Sequence, residues 1–597
     1  MPTGRDLAAG EYERIVPGPP PARDLESESL DVWGFRDTAF VVRPNGAVVL
    51  TGERYELAGP ELPDLLPWTQ ATLEVEIDPT DVHVSAYPPE IPEPRLQRDF
   101  VEEIRGRLSA DAISTDARQR LRHGHGHTQD EMYRVKYGRL VRVPDLVVHP
   151  GSEEEVVALV EAAVRHDVCL VPYGGGTNVT EALRCRDTEE RSIVSVDMGR
   201  MNRILWIDPT NLTACIEAGA VGRLVNEQLA EHGFTLGHEP DSIEFSTLGG
   251  WIATFASGMK KNRYGNIEDL VLDTTVVTAR GLLSRESEVP RESVGADVRR
   301  WIFGSEGNLG IVTKAIVKIF PLAEVERHDA ILFRCFEDGV AFMYDLTRSG
   351  QVPASVRLVD NLQFQLSQTL KPKATGLNAL KSRLERLYVT RLRGFAADEM
   401  VACTIVFEGG AEEVKAQQAV VGRLAKRHGG LRAGAENGKR GYALTFGIAY
   451  IRDFVMKHWV LAESFETSVP WNRVLALCEN VKRRIREEHR QRGLPGKPFV
   501  TCRVTQVYPS GVAVYFYFAF HHKGVEPPSE VYAELERCAR DEILLSGGSL
   551  SHHHGVGKLR EGFLPRVFPP AALEWNAQVK RAIDPGNVFG SGNQAIS

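Results

Sequence analysis

Nowhere in the 597 residues is there a run of about 18 uncharged apolar side chains, the length a helix needs to cross a bilayer, so no membrane span is expected. Cysteine is scarce and unpaired. The eight cysteines stand singly with no C-x-x-C, which reads as reduced thiols of a cytosolic protein, not disulfide staples or a zinc cage. Basic charge is in deficit too. A formal net charge of −9 argues against a nucleic-acid partner. G-x-S-x-G and H-E-x-x-H are both missing, so a serine-hydrolase triad and a zinc hydrolase are unsupported. The start, M-P-T-G-R-D, lacks the apolar core of a signal peptide, and the end, Q-A-I-S, is not the S-K-L address. No repeat of fixed period stands out.

The composition that remains, 43% hydrophobic and 25% charged, is that of a globular protein. The length suggests about two to four domains. Residues 1–30 carry P-G-P-P-P and acidic side chains and read as a flexible arm. Tyr87 to Pro94 reads as a linker. His123, His125 and His127 alternate with glycine, leaving open a metal site or a solvated or cofactor-facing loop. From residue 141 the texture changes. Leu146 to Val148 is a strand, Ser152 and Glu155 form a capping box before a helix, and Val168 to Tyr173 is a second strand, a β-α-β start.

That second strand breaks into Gly174, Gly175 and Gly176. Residues without Cβ let several backbone N–H groups converge on one anion, as around a pyrophosphate. The third glycine of G-x-G-x-x-G and the Lys-Ser/Thr of a Walker loop are absent. Further glycine-, serine- and threonine-rich loops lie between Gly237 and Asp269 and from Gly304 to Thr313, a texture suited to a large polar ligand.

Three features could carry chemistry. Ser549 to Gly557 holds the adjacent imidazoles His552, His553 and His554, which titrate near neutral pH and move protons; a metal pair and a hydrogen-bonded turn are the competing readings. If that segment is extended, His552 and His554 share one face and His553 takes the other. Period-2 alternation in Tyr515 to Phe520 puts Tyr515 and Tyr517 on one face and three phenylalanines on the other, either as core or as the wall of a lipid pocket. Arg357, Arg452 and Arg503 each sit beside an apolar run and need a carboxylate or a substrate phosphate. Leu444 to Tyr450 reads equally as a strand or a buried helix.

P-Y-G-G-G-T-N, G-H-E-P-D-S-I-E-F-S-T-L-G-G-W, G-S-E-G-N-L-G-I-V-T, L-A-E-S-F-E-T-S, T-C-R-V-T-Q and G-G-S-L-S-H-H-H-G-V-G-K-L-R closely resemble the alkyldihydroxyacetonephosphate synthase family, FAD flavoproteins of the vanillyl-alcohol-oxidase type. The resemblance runs from about Trp33 to Asn593. It implies an α+β fold: a two-subdomain FAD-binding domain of the PCMH type with an α+β cap over the flavin. The implied layout is the arm over 1–30, an extension over 31–140, the FAD domain over 141–322, the cap over 323–554 and a closing flavin-contact segment over 555–597. FAD is expected on Pro172, Tyr173, Gly174, Gly175, Gly176, Thr177 and Asn178; on Asp241, Ser242, Ile243, Glu244, Phe245, Ser246 and Thr247; on Thr254, Phe255, Ala256 and Ser257; and on Glu306, Gly307, Asn308, Leu309, Gly310, Ile311 and Val312. No counterpart of a flavin-linking histidine is seen, so the flavin is expected to be noncovalent. Asn178 stands where the family has a small hydroxyl and Asn308 where it has threonine.

The resemblance implies the exchange of the acyl chain of 1-acyl-dihydroxyacetone phosphate for a long-chain fatty alcohol in ether-lipid synthesis. A fatty acid is released, the substrate carbon is bonded through flavin N5, and there is no net redox change. Tyr515 is implied as acid/base, His552, His553 and His554 as proton-transfer groups, Arg452 as the phosphate ligand and Arg357 as an arginine on which activity depends. The implied partners are acyl-dihydroxyacetone phosphate, the fatty alcohol, a membrane surface and a second copy of the chain; no metal and no nucleic acid are expected. The address seen at the N-terminus of animal relatives is missing, so a cytoplasmic, membrane-associated enzyme is expected. A competing reading is an FAD-dependent 2-hydroxy-acid dehydrogenase, and a non-enzymatic one is a flavin-binding lipid carrier.

Overall fold

The apolar run before the glycines folds as the strand Cys169–Tyr173, and it pairs in parallel with Ile193–Asp197. Leu146–Val148 lies parallel on the other side of Ile193–Asp197, and Ile113–Ser114 closes this four-stranded sheet. The structure is a computed structural model that describes residues 13–21, 23–372 and 376–595. The helix Glu153–His166 connects the parallel strands. Ser152 caps it by accepting from the Glu155 N–H, while the Glu155 carboxylate turns back to the Gly151 N–H, so half of the expected box forms. A second, five-stranded antiparallel sheet (Gly281–Leu283, Val271–Thr278, Ile311–Lys318, Thr213–Glu217, Ile204–Asp208) completes the flavin domain.

The cap is built on a seven-stranded sheet in the order Leu431–Arg432, Val325–Phe333, Val401–Gly409, Ser355–Val359, Phe499–Val507, Gly511–His521, Val460–Pro470. Side chains alternate across it. Val356, Leu358, Cys502, Val504, Phe516, Phe518 and Phe520 face a core shared with the helices Phe336–Arg348, Ala411–Arg427, Val474–Gln491 and Pro528–Leu545. Arg357, Arg503, Tyr515 and Tyr517 therefore take the opposite face, as the aromatic alternation predicts. The helix Ala435–Lys457 packs against this sheet and contains Leu444 to Tyr450, which settles the open choice as helix.

The extension is divided between the two bodies. Phe100, Ile104 and Ala112 join the core under the parallel sheet, so the flavin domain begins before residue 141. Phe40, Val48, Leu50 and Leu65 pack instead with Tyr450, Phe454 and Val460 of the cap. Part of the expected arm, residues 1–12, lies outside the described residues. Further along, Ile15 bridges Ile207, and Glu28 is paired with Arg23 and Arg122, which fixes that stretch to the flavin domain. Near the chain end, Val588 and Phe589 join the core under the parallel sheet.

Candidate active site

One cavity, about 440 Å³, runs between the glycine loops and the open face of the cap sheet. Gly174 to Asn178 line it, and among the described residues the N–H groups of Gly175, Gly176, Thr177 and Asn178 donate to no protein acceptor. A Cβ on Gly175 would fall 2.1 Å from the Phe245 carbonyl oxygen, and Gly176 has φ +72°, so both positions demand glycine. Hydroxyls of Thr177, Ser242, Ser246, Thr247, Ser257 and Ser305 add to this wall. Its two carboxylates are already occupied. Glu306 accepts from the Val556 and Gly557 N–H groups at 2.6 and 2.8 Å, and Asp241 pairs with arginines. Unspent donors without competing negative charge suit a dinucleotide diphosphate, so these residues fit FAD.

Most residues expected to hold the cofactor line this cavity: Pro172 to Asn178, Asp241, Ser242, Ser246, Thr247, Thr254, Ala256, Ser257, Glu306, Gly307, Gly310, Ile311 and Val312. Six do not, and each has another task. Ile243 packs beside Gly222, Glu244 accepts from the Tyr55 hydroxyl, Phe245 packs against Trp33 and Phe35, Phe255 caps a helix in the left-handed region, Asn308 bonds Ser591 and Asn593, and Leu309 is core.

Strand register assembles the chemical end. Arg503, Tyr515 and Glu466 are direct neighbours across three antiparallel strands. The triple-histidine segment is not extended. The buried Glu466 carboxylate accepts from the Ser551 hydroxyl at 2.6 Å and from the N–H groups of His552 and His554, the latter at 3.0 Å, and so curls the segment over Tyr515. In consequence His553 and His554, not His552 and His554, share a partner. The Tyr515 hydroxyl lies 2.6 Å from His553 Nε2 and 3.1 Å from His554 Nε2. Burial pushes the Tyr515 phenol well above its ordinary range and lowers both imidazoles. His552 points away, 2.6 Å from Tyr508 Oη.

The arginines behave as paired groups with donors to spare. Arg357 donates to the Thr445 hydroxyl at 2.6 Å and stands 3.5 Å from Asp241; Arg503 lies 3.3 Å from the same carboxylate and behind the Tyr515 ring. Arg452 donates to the His127 carbonyl at 2.6 Å and lies 3.2 Å from Glu463. Arg357 and Arg452 line the cavity, and each keeps a buried Nε without a partner. Away from them, Leu65, Trp68, Leu73, Leu366, Val460 and Phe499 make an apolar end.

His123 bonds Asp197 at 2.8 Å, His125 bonds the Gly126 carbonyl, and His127 lines the cavity; no group of metal-ligating side chains occurs among the described residues. Of the histidine-glycine stretch, His127 alone reaches the cavity wall. Sequence reasoning overlooked Glu466, although L-A-E-S-F-E-T-S contains it, and overlooked Trp33 and Trp68 as walls supplied by the extension.

This fold and its glycine-walled cavity define an FAD flavoprotein of the vanillyl-alcohol-oxidase type. Residues 144–286 match the family model for an FAD binding domain, and residues 322–593 match that for the C-terminal domain of FAD linked oxidases. The chain is 44% identical over 562 residues to an alkyldihydroxyacetonephosphate synthase of Caenorhabditis elegans, covering 94% of each, and 30% identical to one of Dictyostelium discoideum, covering 93% of this chain and 91% of the relative. A solved alkyldihydroxyacetonephosphate synthase structure superposes with a TM-score of 0.81 at 28% identity, covering 94% of this chain and 98% of that one. The chain belongs to the alkyldihydroxyacetonephosphate synthase family.

Proposed function

We propose that this enzyme exchanges the acyl chain of 1-acyl-dihydroxyacetone phosphate for a long-chain alcohol, releasing a fatty acid and leaving an ether. Bound FAD, held noncovalently, supplies an electron sink beside the exchanging carbon. Arg452 and Arg357 bind the phosphate through the donors they hold in reserve. Tyr515 Oη exchanges a proton with the substrate, and His553 Nε2 and His554 Nε2 hold that proton in turn. The apolar end takes the hydrocarbon chain and excludes water. The observation that carries this reading is a buried phenol hydrogen-bonded to two neutral imidazoles, in one cavity with two arginines and a glycine cradle. Radiolabelled hexadecanol should enter an ether product when palmitoyl-dihydroxyacetone phosphate is present. Reduction of a dye by D-lactate without ether formation would favour the dehydrogenase reading instead.

Both substrates are amphiphiles, and one exposed helix with apolar and basic side chains supports loading from a lipid surface. Along the helix Gly376–Leu387 and its continuation Tyr388–Leu392, Leu380, Leu384, Leu387 and Leu392 are exposed, flanked by exposed Arg383, Arg386, Arg391 and Arg393. Co-sedimentation with phosphatidylglycerol vesicles that is lost in L380S/L384S tests this; equal binding by the variant contradicts it. A reducing, cytoplasmic setting is supported by eight free cysteines. A homodimer rests on the family resemblance, and light scattering in solution tests it.

A further inference from the structure

The proposed exchange produces a proton. An alcohol enters with its O–H, and the acid that leaves is a carboxylate at neutral pH, so one proton per turnover must reach solvent. Tyr515 is buried and cannot deliver it directly. A file of hydrogen bonds leads from it to the half-buried Tyr508. Tyr515 Oη is 2.6 Å from His553 Nε2, His553 Nδ1 is 2.6 Å from His552 Nδ1, and His552 Nε2 is 2.6 Å from Tyr508 Oη. Tyr508 ends the file and is half-buried; its hydroxyl also donates to Oε1 of the buried Gln506 at 3.1 Å, which fixes His552 Nε2 as the donor to Tyr508.

A neutral imidazole has one N–H and one bare nitrogen, so a single choice of tautomers satisfies the whole file. Tyr515 donates to His553 Nε2, His553 Nδ1–H to His552 Nδ1, and His552 Nε2–H to Tyr508. When Tyr515 takes a proton from the substrate, each O–H or N–H bond along the file breaks as the next forms, and the Tyr508 proton passes to solvent water at that half-buried residue. Charge is conserved and nothing is oxidised or reduced.

We propose that Tyr508 is the outer, positioning residue of a proton relay that runs from Tyr515 through His553 and His552 to solvent; this rests on the exchange reaction proposed above. Burial supports the required neutral forms: it takes His552 down to about 3, lowers His553, and pushes Tyr508 up to about 12. Lys261 Nζ sits 3.4 Å over the Tyr508 ring and donates to the Val507 carbonyl, and burial brings that ammonium down to about 8. Glu268 and Asp269 also face Tyr508, while Glu466, Asp241, Arg503 and Arg560 face His553.

The test is Tyr508→Phe in the flavin-loaded enzyme, which keeps the ring under Lys261 and removes only the hydroxyl. Flavin content and KM should stay at wild-type values, and Tm should fall only slightly through the lost hydrogen bonds to His552 and Gln506. The value of kcat should fall about a hundredfold, its solvent isotope effect should rise, and added imidazole should restore it saturably. A kcat unchanged, or lowered without an isotope effect or imidazole rescue, overturns the relay. A second readout does not depend on turnover. With ring-15N histidine, the wild type should show a strongly downfield exchangeable proton shared by His552 and His553, displaced in Tyr508→Phe. Its absence overturns the relay, whereas its presence in an enzyme that makes no ether supports the relay and contradicts the reaction.

Discussion

Glu466 stands directly opposite Tyr515 on the neighbouring antiparallel strand, and its carboxylate binds the main chain of the loop that carries that tyrosine's histidine partners. The Tyr515 phenol and the imidazoles it bonds are thus indexed to one rung of the sheet. Glu466→Gln keeps the shape but turns one acceptor oxygen into a donor that faces N–H groups. It should lower unfolding stability by about 1.5–3 kcal/mol, the worth of hydrogen bonds to a buried charge, and lower kcat while flavin remains bound. Thermal unfolding and steady-state kinetics measure both; a variant with wild-type kcat contradicts the indexing role.

Tyr515→Phe should abolish turnover and leave bound yellow flavin, because only the hydroxyl shared by His553 and His554 is lost. Product formation and the visible spectrum give the two readouts. A fully active variant removes Tyr515 from the acid/base role.

Gly175→Ala should yield protein with little flavin. The added methyl carbon would sit 2.1 Å from the Phe245 carbonyl oxygen, so the loop must shift and its N–H groups lose their common focus. The ratio of flavin to protein absorbance reports this, and full occupancy contradicts the cradle.

Local patterns made much of this site legible. The glycine break after Cys169–Tyr173 and the alternation of Tyr515 to Phe520 are short-range signals that tertiary packing preserved. Pairings across long separations were not legible. Asp241 reads in sequence as part of a nucleotide loop, yet its carboxylate lies between Arg357 and Arg503, the latter 262 positions away. The curl of the histidine segment depends on Glu466 in another strand, so a local extended reading put the wrong pair of imidazoles together. Leu444 to Tyr450 was too short an apolar run for periodicity to separate strand from helix. Ile243, Phe245 and Leu309 lie in loops of the right texture, but their side chains turn into packing, where apolar residues gain most.

Acid should destabilise the fold before ordinary carboxylates protonate. Burial holds His238, His522 and His552 down to about 3 and His125 and His489 to about 4, against an ordinary value of 6.5. Below 6.5 the unfolded chain takes up protons that the folded one refuses, so stability is full above 6.5 and declines as pH falls toward 4. Tm measured from about pH 8 to about pH 4.5 should be flat and then drop. A Tm constant down to the acid end contradicts neutral buried imidazoles.

Ala462→Phe should shorten the hydrocarbon end. Ala462 lines the cavity on the strand Val460–Pro470, beside Val460. KM for hexadecanol should rise about tenfold or more while a short alcohol is spared. Equal effects on both alcohols would place the chain elsewhere.

The most direct test is an absorption spectrum of the purified enzyme under anaerobic conditions, taken before and after adding palmitoyl-dihydroxyacetone phosphate and again after hexadecanol. The account predicts a yellow protein whose flavin band falls with the first addition and recovers with the second as ether product accumulates. A colourless protein that FAD does not reconstitute, or a flavin band unmoved by the acyl substrate, would contradict it.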